Sequence, residues 1–233
     1  MCQFKSAICL KDRVFVPDYD SHSKMLEELH IEDDFAHASK VFVRVELVPE
    51  DGDKTSDVDE WKLNVDQDVL PDWWDENDCL PRIKAAVKAW CDIHILRDGM
   101  HTVRDGIWYA FDNASVEAHG NASVEAYGNA SVEAWGNASV EAHGNASVKA
   151  YGNASVVAFD NASVVAFDNA SVKAYGNASV EAYGNASVEA FDEASVKLPK
   201  YFQTLKPVLL HGKAICINYK DHTIQSPVKW EQK

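Results

Sequence analysis

Between Phe111 and Leu198 apolar and polar residues alternate in a pattern that returns every eight positions. Within an octad the order is aromatic, Gly or Asp, Asn, Ala, Ser, Val, Glu or Lys, Ala, with few exceptions. Eleven octads run without a break, and a degenerate copy, VRDGIWYA, precedes them at 103–110. A short fixed period marks a solenoid or array. A coiled coil is excluded, because it needs a period of about seven or eleven residues and large apolar seams. Read as a strand, Ala114, Val116 and Ala118 share one face, while Ser115, Glu117 and His119 share the other. The small apolar face is the core, since Glu and Lys alternate on the opposite one. Gly-Asn or Asp-Asn supplies the corner, as these residues tolerate positive φ. The pattern predicts a six-residue strand and a two-residue corner as one side of a coil. Asn amides then stack from coil to coil.

The thinness of an Ala/Val interior sets the number of sides. Three octads per coil would enclose a triangular space that alanine hardly fills; two make a flat pair of sheets around a thin core. Two octads per coil place Phe111, Tyr127, His143, Phe159, Tyr175 and Phe191 in one row. His119, Trp135, Tyr151, Phe167 and Tyr183 form the other. Five and a half coils stack to roughly 26 Å at ~4.8 Å per strand step.

The flanks follow other periods. QFKSAICL and RVFVPDY alternate around Lys11-Asp12 and predict a hairpin. Asp20 is placed to cap a short helix, SHSKMLEELHI, with Met25, Leu26 and Leu29 as its apolar stripe. SKVFVRVELV and EWKLNVDQ predict strands, Pro71-Asp72 a turn, and CLPRIKAAVKAWCDIHIL a second helix burying Ile83, Val87 and Trp90. The expectation is an α+β domain at 1–102, a parallel β-solenoid at 103–198, and a C-terminal capping hairpin within 199–233, formed by KAICINYKDHTIQS. Caps are needed because a solenoid end is a row of unpaired backbone groups.

Charge separates the three segments. Residues 1–100 carry 23 acidic and 12 basic side chains, residues 101–198 carry 12 and 4, and residues 199–233 carry 2 and 6. A net charge of −15 repels nucleic acid, and it either attracts basic partners or keeps a repetitive chain in solution. No apolar run approaches a membrane span, and the opening lacks the pattern of a secretory signal. Five cysteines at irregular spacing fit free thiols in a reducing cytoplasm. The ten Asn-Ala-Ser triplets are then corner residues, not glycosylation acceptors.

The opening MCQFKSAI, the DSHS at 20–23 and the tail of GNASV-type octads resemble a family of uncharacterised bacterial and phage proteins. Those proteins join an N-terminal MCxFxSAI-type domain to short β-repeats. The resemblance implies a bacterial or phage origin and no particular catalytic activity.

Candidate chemistry is sparse. Cys2, exposed at the N-terminus if Met1 is removed, is the one candidate nucleophile, with its own α-amine as base. About 100 residues cannot build the stacked sheets and helix layers of N-terminal-nucleophile hydrolases. Asp20, Ser21 and His22 hold the letters of a triad, but sequence neighbours cannot face one another as a triad requires. His119 and His143 are three octads apart and fall on opposite faces. Cys79 and Cys91 lack a second ligand pair. No nucleotide-binding or metalloprotease motif occurs. No metal or other cofactor is expected.

The reading is therefore a non-enzymatic scaffold that binds a protein partner or itself as a homodimer, with no nucleic acid or membrane contact. Its alternatives are an acidic inhibitor of a nucleic-acid-handling host defence protein and a small thiol hydrolase using Cys2. Val157 and Val165 replace the usual Glu or Lys in consecutive octads, beside Phe159 and Phe167. These four form the predicted contact site, with Val165 and Phe159 assigned to one face and Val157 and Phe167 to the other.

Overall fold

The structure, a computed structural model, describes residues 4–200 and 208–227. The chain divides into two compact units between His94 and Ile95.

The first unit is built on an antiparallel sheet. Strand β1 (Lys5–Leu10) pairs with β2 (Val14–Phe15) through the predicted hairpin. On its other side β1 pairs with β3 (Phe42–Val48), and β3 pairs with β4 (Lys62–Val65). Helix α1 (His22–Glu28) lays Met25 and Leu26 on Ile8, Leu10 and Phe42, one face of this sheet. The cap of α1 is Ser21, whose side chain accepts from Lys24 N, and not Asp20. Asp20 turns the other way, to the Lys5 ammonium and the Ser6 N–H, because a buried cation demands a carboxylate more strongly than a helix end does. A short helix, α2 (Phe35–Ala38), is capped by Asp34.

Helix α3 (Glu76–His94) buries Ile83, Val87 and Trp90 as predicted, together with Cys79, Cys91 and His94. It begins three residues before the predicted start, since the Asp75 carboxylate accepts from Asn77 N and Glu76 and Asp78 favour the positive end of the helix dipole. Arg82 reaches from α3 to the carbonyls of Leu10 and Lys11 at the hairpin turn.

The second unit is a parallel β-solenoid with two octads per coil. Ser131, Val132, Glu133 and Ala134 pair with Ser147, Val148, Lys149 and Ala150, and this register of sixteen holds through the octads on both sheets. The alanines and valines of both sheets form one continuous core. Larger core residues occur only toward its ends, among them Leu96, Leu198 and Cys216. Strands already in the solenoid precede the octads: Ile95–Leu96 pairs with 107–110, and Met100–Val103 with 115–118. At the far end, Ile215–Asn218 adds a parallel strand beside Ser195–Leu198. Thr223–Gln225 then folds back antiparallel, the predicted hairpin, and covers that strand's edge.

The strands are four residues long, Ser to the second Ala, not six. The ring and the three residues after it form a tight turn, closed by an Ala N–H to ring-residue C=O bond, as from Ala130 to Tyr127 at 3.2 Å. The residue after the ring has positive φ, +66° at Gly128 and +55° at Asp112. Asp is tolerated there because its carboxylate finds a partner one coil back. Asp160 accepts from Gly144 N at 3.0 Å, and Asp168 from Gly152 N at 3.1 Å. The expected amide ladder is present where Asn185 Nδ2 donates to Asn169 Oδ1 at 2.9 Å.

One glycine has no such freedom. A Cβ on Gly120 would stand 2.7 Å from the Arg104 carbonyl oxygen, whereas on Gly136 the nearest atom is 3.7 Å away. Gly120→Ala is expected to cost about 2 kcal/mol, from the clash and the left-handed backbone together. Gly136→Asp, free to accept from Gly120 N as the natural aspartates do, should stay within about 1 kcal/mol of wild type. Denaturant melts of the two variants check this, and equal losses would show that the turns do not discriminate.

Candidate functional site

Each sheet shows solvent three rows of side chains that repeat at every coil: Ser, the Glu/Lys position, and the ring. The strand alternation points the ring the same way as the acid two residues before it. Tyr127 donates its hydroxyl to Glu125 at 2.6 Å, and Tyr183 donates to Glu181. His143 Nε2 lies 3.0 Å from Glu141 Oε1, and His211 Nε2 lies 3.1 Å from Glu189 Oε1. Burial, then the bond to Glu125, pushes the Tyr127 hydroxyl up; at Tyr183 the bond to Glu181 is the first cause. Both hydroxyls stay protonated donors.

The rings form two stacks, as the period predicts. Phe111, Tyr127, His143, Phe159, Tyr175 and Phe191 follow one another at centroid distances of 4.6–5.3 Å, and His211 continues the row at 4.5 Å. His119, Trp135, Tyr151, Phe167 and Tyr183 make the second, spaced 4.0–6.3 Å. Planes within 15° of parallel are what the ~4.8 Å coil rise imposes on identical turn positions. Charges along the neighbouring row pair where signs alternate, as at Lys149–Glu133, 2.8 Å.

This geometry corrects the assignment of the apolar spots. The ring belongs to the strand before it, so Val157 shares a face with Phe159, and Val165 shares the opposite face with Phe167. The substitutions are therefore coupled. Where Val removes the acceptor, the ring is Phe and has no donor to leave unpaired. Each face thus carries one Val–Phe pair, half-buried and set between charged or polar neighbours: Val157 lies between Glu141 and Lys173, Val165 between Lys149 and Glu181.

The other candidates fall apart from one another. Cys2 lies outside the described residues. Cys9, Cys79, Cys91 and Cys216 are free and buried, and burial first of all pushes the Cys9 and Cys91 thiols up to about 12. Asp20, Ser21 and His22 serve three different partners: Lys5, the end of α1, and the Val45 carbonyl with Asp66. His119 and His143 stand in different stacks.

Two groups of side chains that the sequence did not single out could hold a cation: His22, Glu46 and Asp66, and the exposed Glu32, Asp34 and His37. In the second, Asp34 is already engaged as the cap of α2, and the His37 N–H bond holds its carboxyl below the usual range. The first had a signal in Glu46, which alternation places on the helix-covered face of β3 with Phe42.

Fold and faces together define a parallel β-solenoid protein with an N-terminal α+β unit. Among the described residues no helix is long and apolar enough to cross a membrane. In comparisons with protein-family models, curated proteins and solved structures, nothing matches the chain.

Proposed function

We propose that the chain is a non-enzymatic binding scaffold of the bacterial and phage octapeptide-repeat kind, working in the cytoplasm, and that it binds a second copy of itself. The observation that carries the reading is the pair of Val–Phe spots, each a break in an otherwise charged ladder. An apolar spot on a repeating polar face is a contact surface in search of its like. A two-fold axis through one spot buries it against its own copy, and the alternating charges of the flanking rows can then meet opposite signs. Buried free thiols with raised pKa values fit a structural role better than a nucleophilic one.

Light scattering on wild type and on the Val157→Glu, Val165→Glu double variant tests this. The expected result is a dimer mass for wild type and a monomer mass for the variant, and the single variants then identify the face. A monomeric wild type, or a dimer untouched by both charges, would overturn the reading.

A further inference from the structure

We propose that His22, Glu46 and Asp66 of the first unit bind a divalent transition-metal ion. One ligand atom from each lies within 4.8 Å of the others. Three observations point to a missing cation. His22 Nε2 is 3.2 Å from the Val45 carbonyl oxygen, which can only accept, so Nε2 carries the hydrogen. Nδ1 then has its lone pair free, yet it faces Asp66 Oδ2 at 3.2 Å, another acceptor. In the neutral ring these two lone pairs face one another, and a proton or a metal ion between them resolves the contact.

The second observation is Glu46. It is 8 % exposed, and no described residue gives its carboxylate a hydrogen bond or an ion pair. A carboxylate without a protein partner is free to coordinate, and one of its oxygens lies within 4.8 Å of the other two ligand atoms. The third is Ser6, fully buried and paired directly across from Glu46 on β1. Its hydroxyl oxygen has no partner among the described residues.

The donor set selects the ion. A neutral imidazole and two carboxylates balance a charge of +2. An imidazole nitrogen disfavours Mg²⁺ and Ca²⁺ and suits Zn²⁺ and its first-row neighbours. A carbonyl on the far nitrogen is the usual support of a metal-bound histidine, fixing its tautomer and orientation. A tetrahedral ion with bonds near 2.1 Å holds its ligand atoms about 3.4 Å apart, close to the His22–Asp66 spacing. Asp66, 64 % exposed, has room to close the remainder and leaves the fourth position open to water. The site ties the start of α1 to β3 and to the residue after β4.

Titration of the full-length chain with ZnCl₂, followed by calorimetry, tests the proposal. Wild type should take up one ion that Glu46→Gln and Asp66→Asn each bind at least tenfold more weakly. Circular dichroism of both variants without metal checks that each is folded, so that weakened uptake reads as loss of a ligand. In wild type alone, a hundredfold excess of Zn²⁺ over Kd should raise the melting temperature of the first unit by roughly 10 °C. Equal binding by wild type and both variants would place the ion on other histidines and overturn the site. Absence of binding by wild type would also overturn it.

Discussion

Leucine in place of Ala130 is expected to destabilise the solenoid by about 3 kcal/mol, the upper end of what overpacking costs. Ala130 is fully buried at the end of a turn, within a core where alanine and valine recur at every coil. Three additional carbons there have nowhere to go, because backbone hydrogen bonds fix the coil spacing: Ser131 N donates to Ala114 O and Ser147 N to Ala130 O, each at 2.9 Å. Any shift that admits the side chain stretches those bonds on both sides. Ser131→Leu, one residue on and exposed, should cost less than about 0.5 kcal/mol. Urea melts read both values. Equal losses would mean that the inner and outer rows are wrongly assigned.

Asp20→Ala should cost the first unit about 3 kcal/mol at neutral pH, by leaving Lys5 without its counter-ion. Lys5 is 1 % exposed, with its ammonium 3.0 Å from Asp20 Oδ1 and 4.1 Å from the Trp90 ring centroid. Burial lowers its pKa from 10.5, and Asp20 is the largest influence holding it up. The pH dependence follows in sign. Between the lowered folded pKa and 10.5 the unfolded chain binds the extra proton, so stability rises with pH across that window. Removing Asp20 lowers the folded pKa further and widens the window. The difference between variant and wild type should therefore be largest at pH 7 and shrink toward pH 10.5, where a neutral lysine needs no carboxylate. Lys5→Met with Asp20→Asn should recover most of the loss, since a thioether suits the Trp90 ring and an amide oxygen can still accept from Ser6 N. A loss independent of pH would show that Asp20 acts through Ser6 alone.

Much of this molecule was legible because its information is local and repeated. An eight-residue period with small inward residues permits one economical coil, so the register of sixteen, the buried alanines and valines and both ring stacks followed from the octad. Alternation and the 3.6-residue stripe likewise announced the hairpin, α1 and most of α3. The end of each solenoid strand was less legible. Ring, Gly or Asp, Asn and Ala read as a two-residue corner between longer strands, but the Ala N–H closes a turn onto the ring residue's carbonyl and takes all four. That detail decides which valine shares a face with which phenylalanine.

The first unit shows the other limit. Asp20 has the composition and position of a helix cap, and only the approach of β1 reveals the buried Lys5 that claims it, fifteen residues away. His22, Glu46 and Asp66 lie twenty or more residues apart and come together because α1 covers the face of β3 on which Glu46 sits. Periodicity encodes which side of an element is buried, and the octads determined that side at every position. It cannot encode which polar group meets which inside: those pairings are set by the electrostatic cost of burying each group alone, and that cost exists only once the sheet and helices have closed around it.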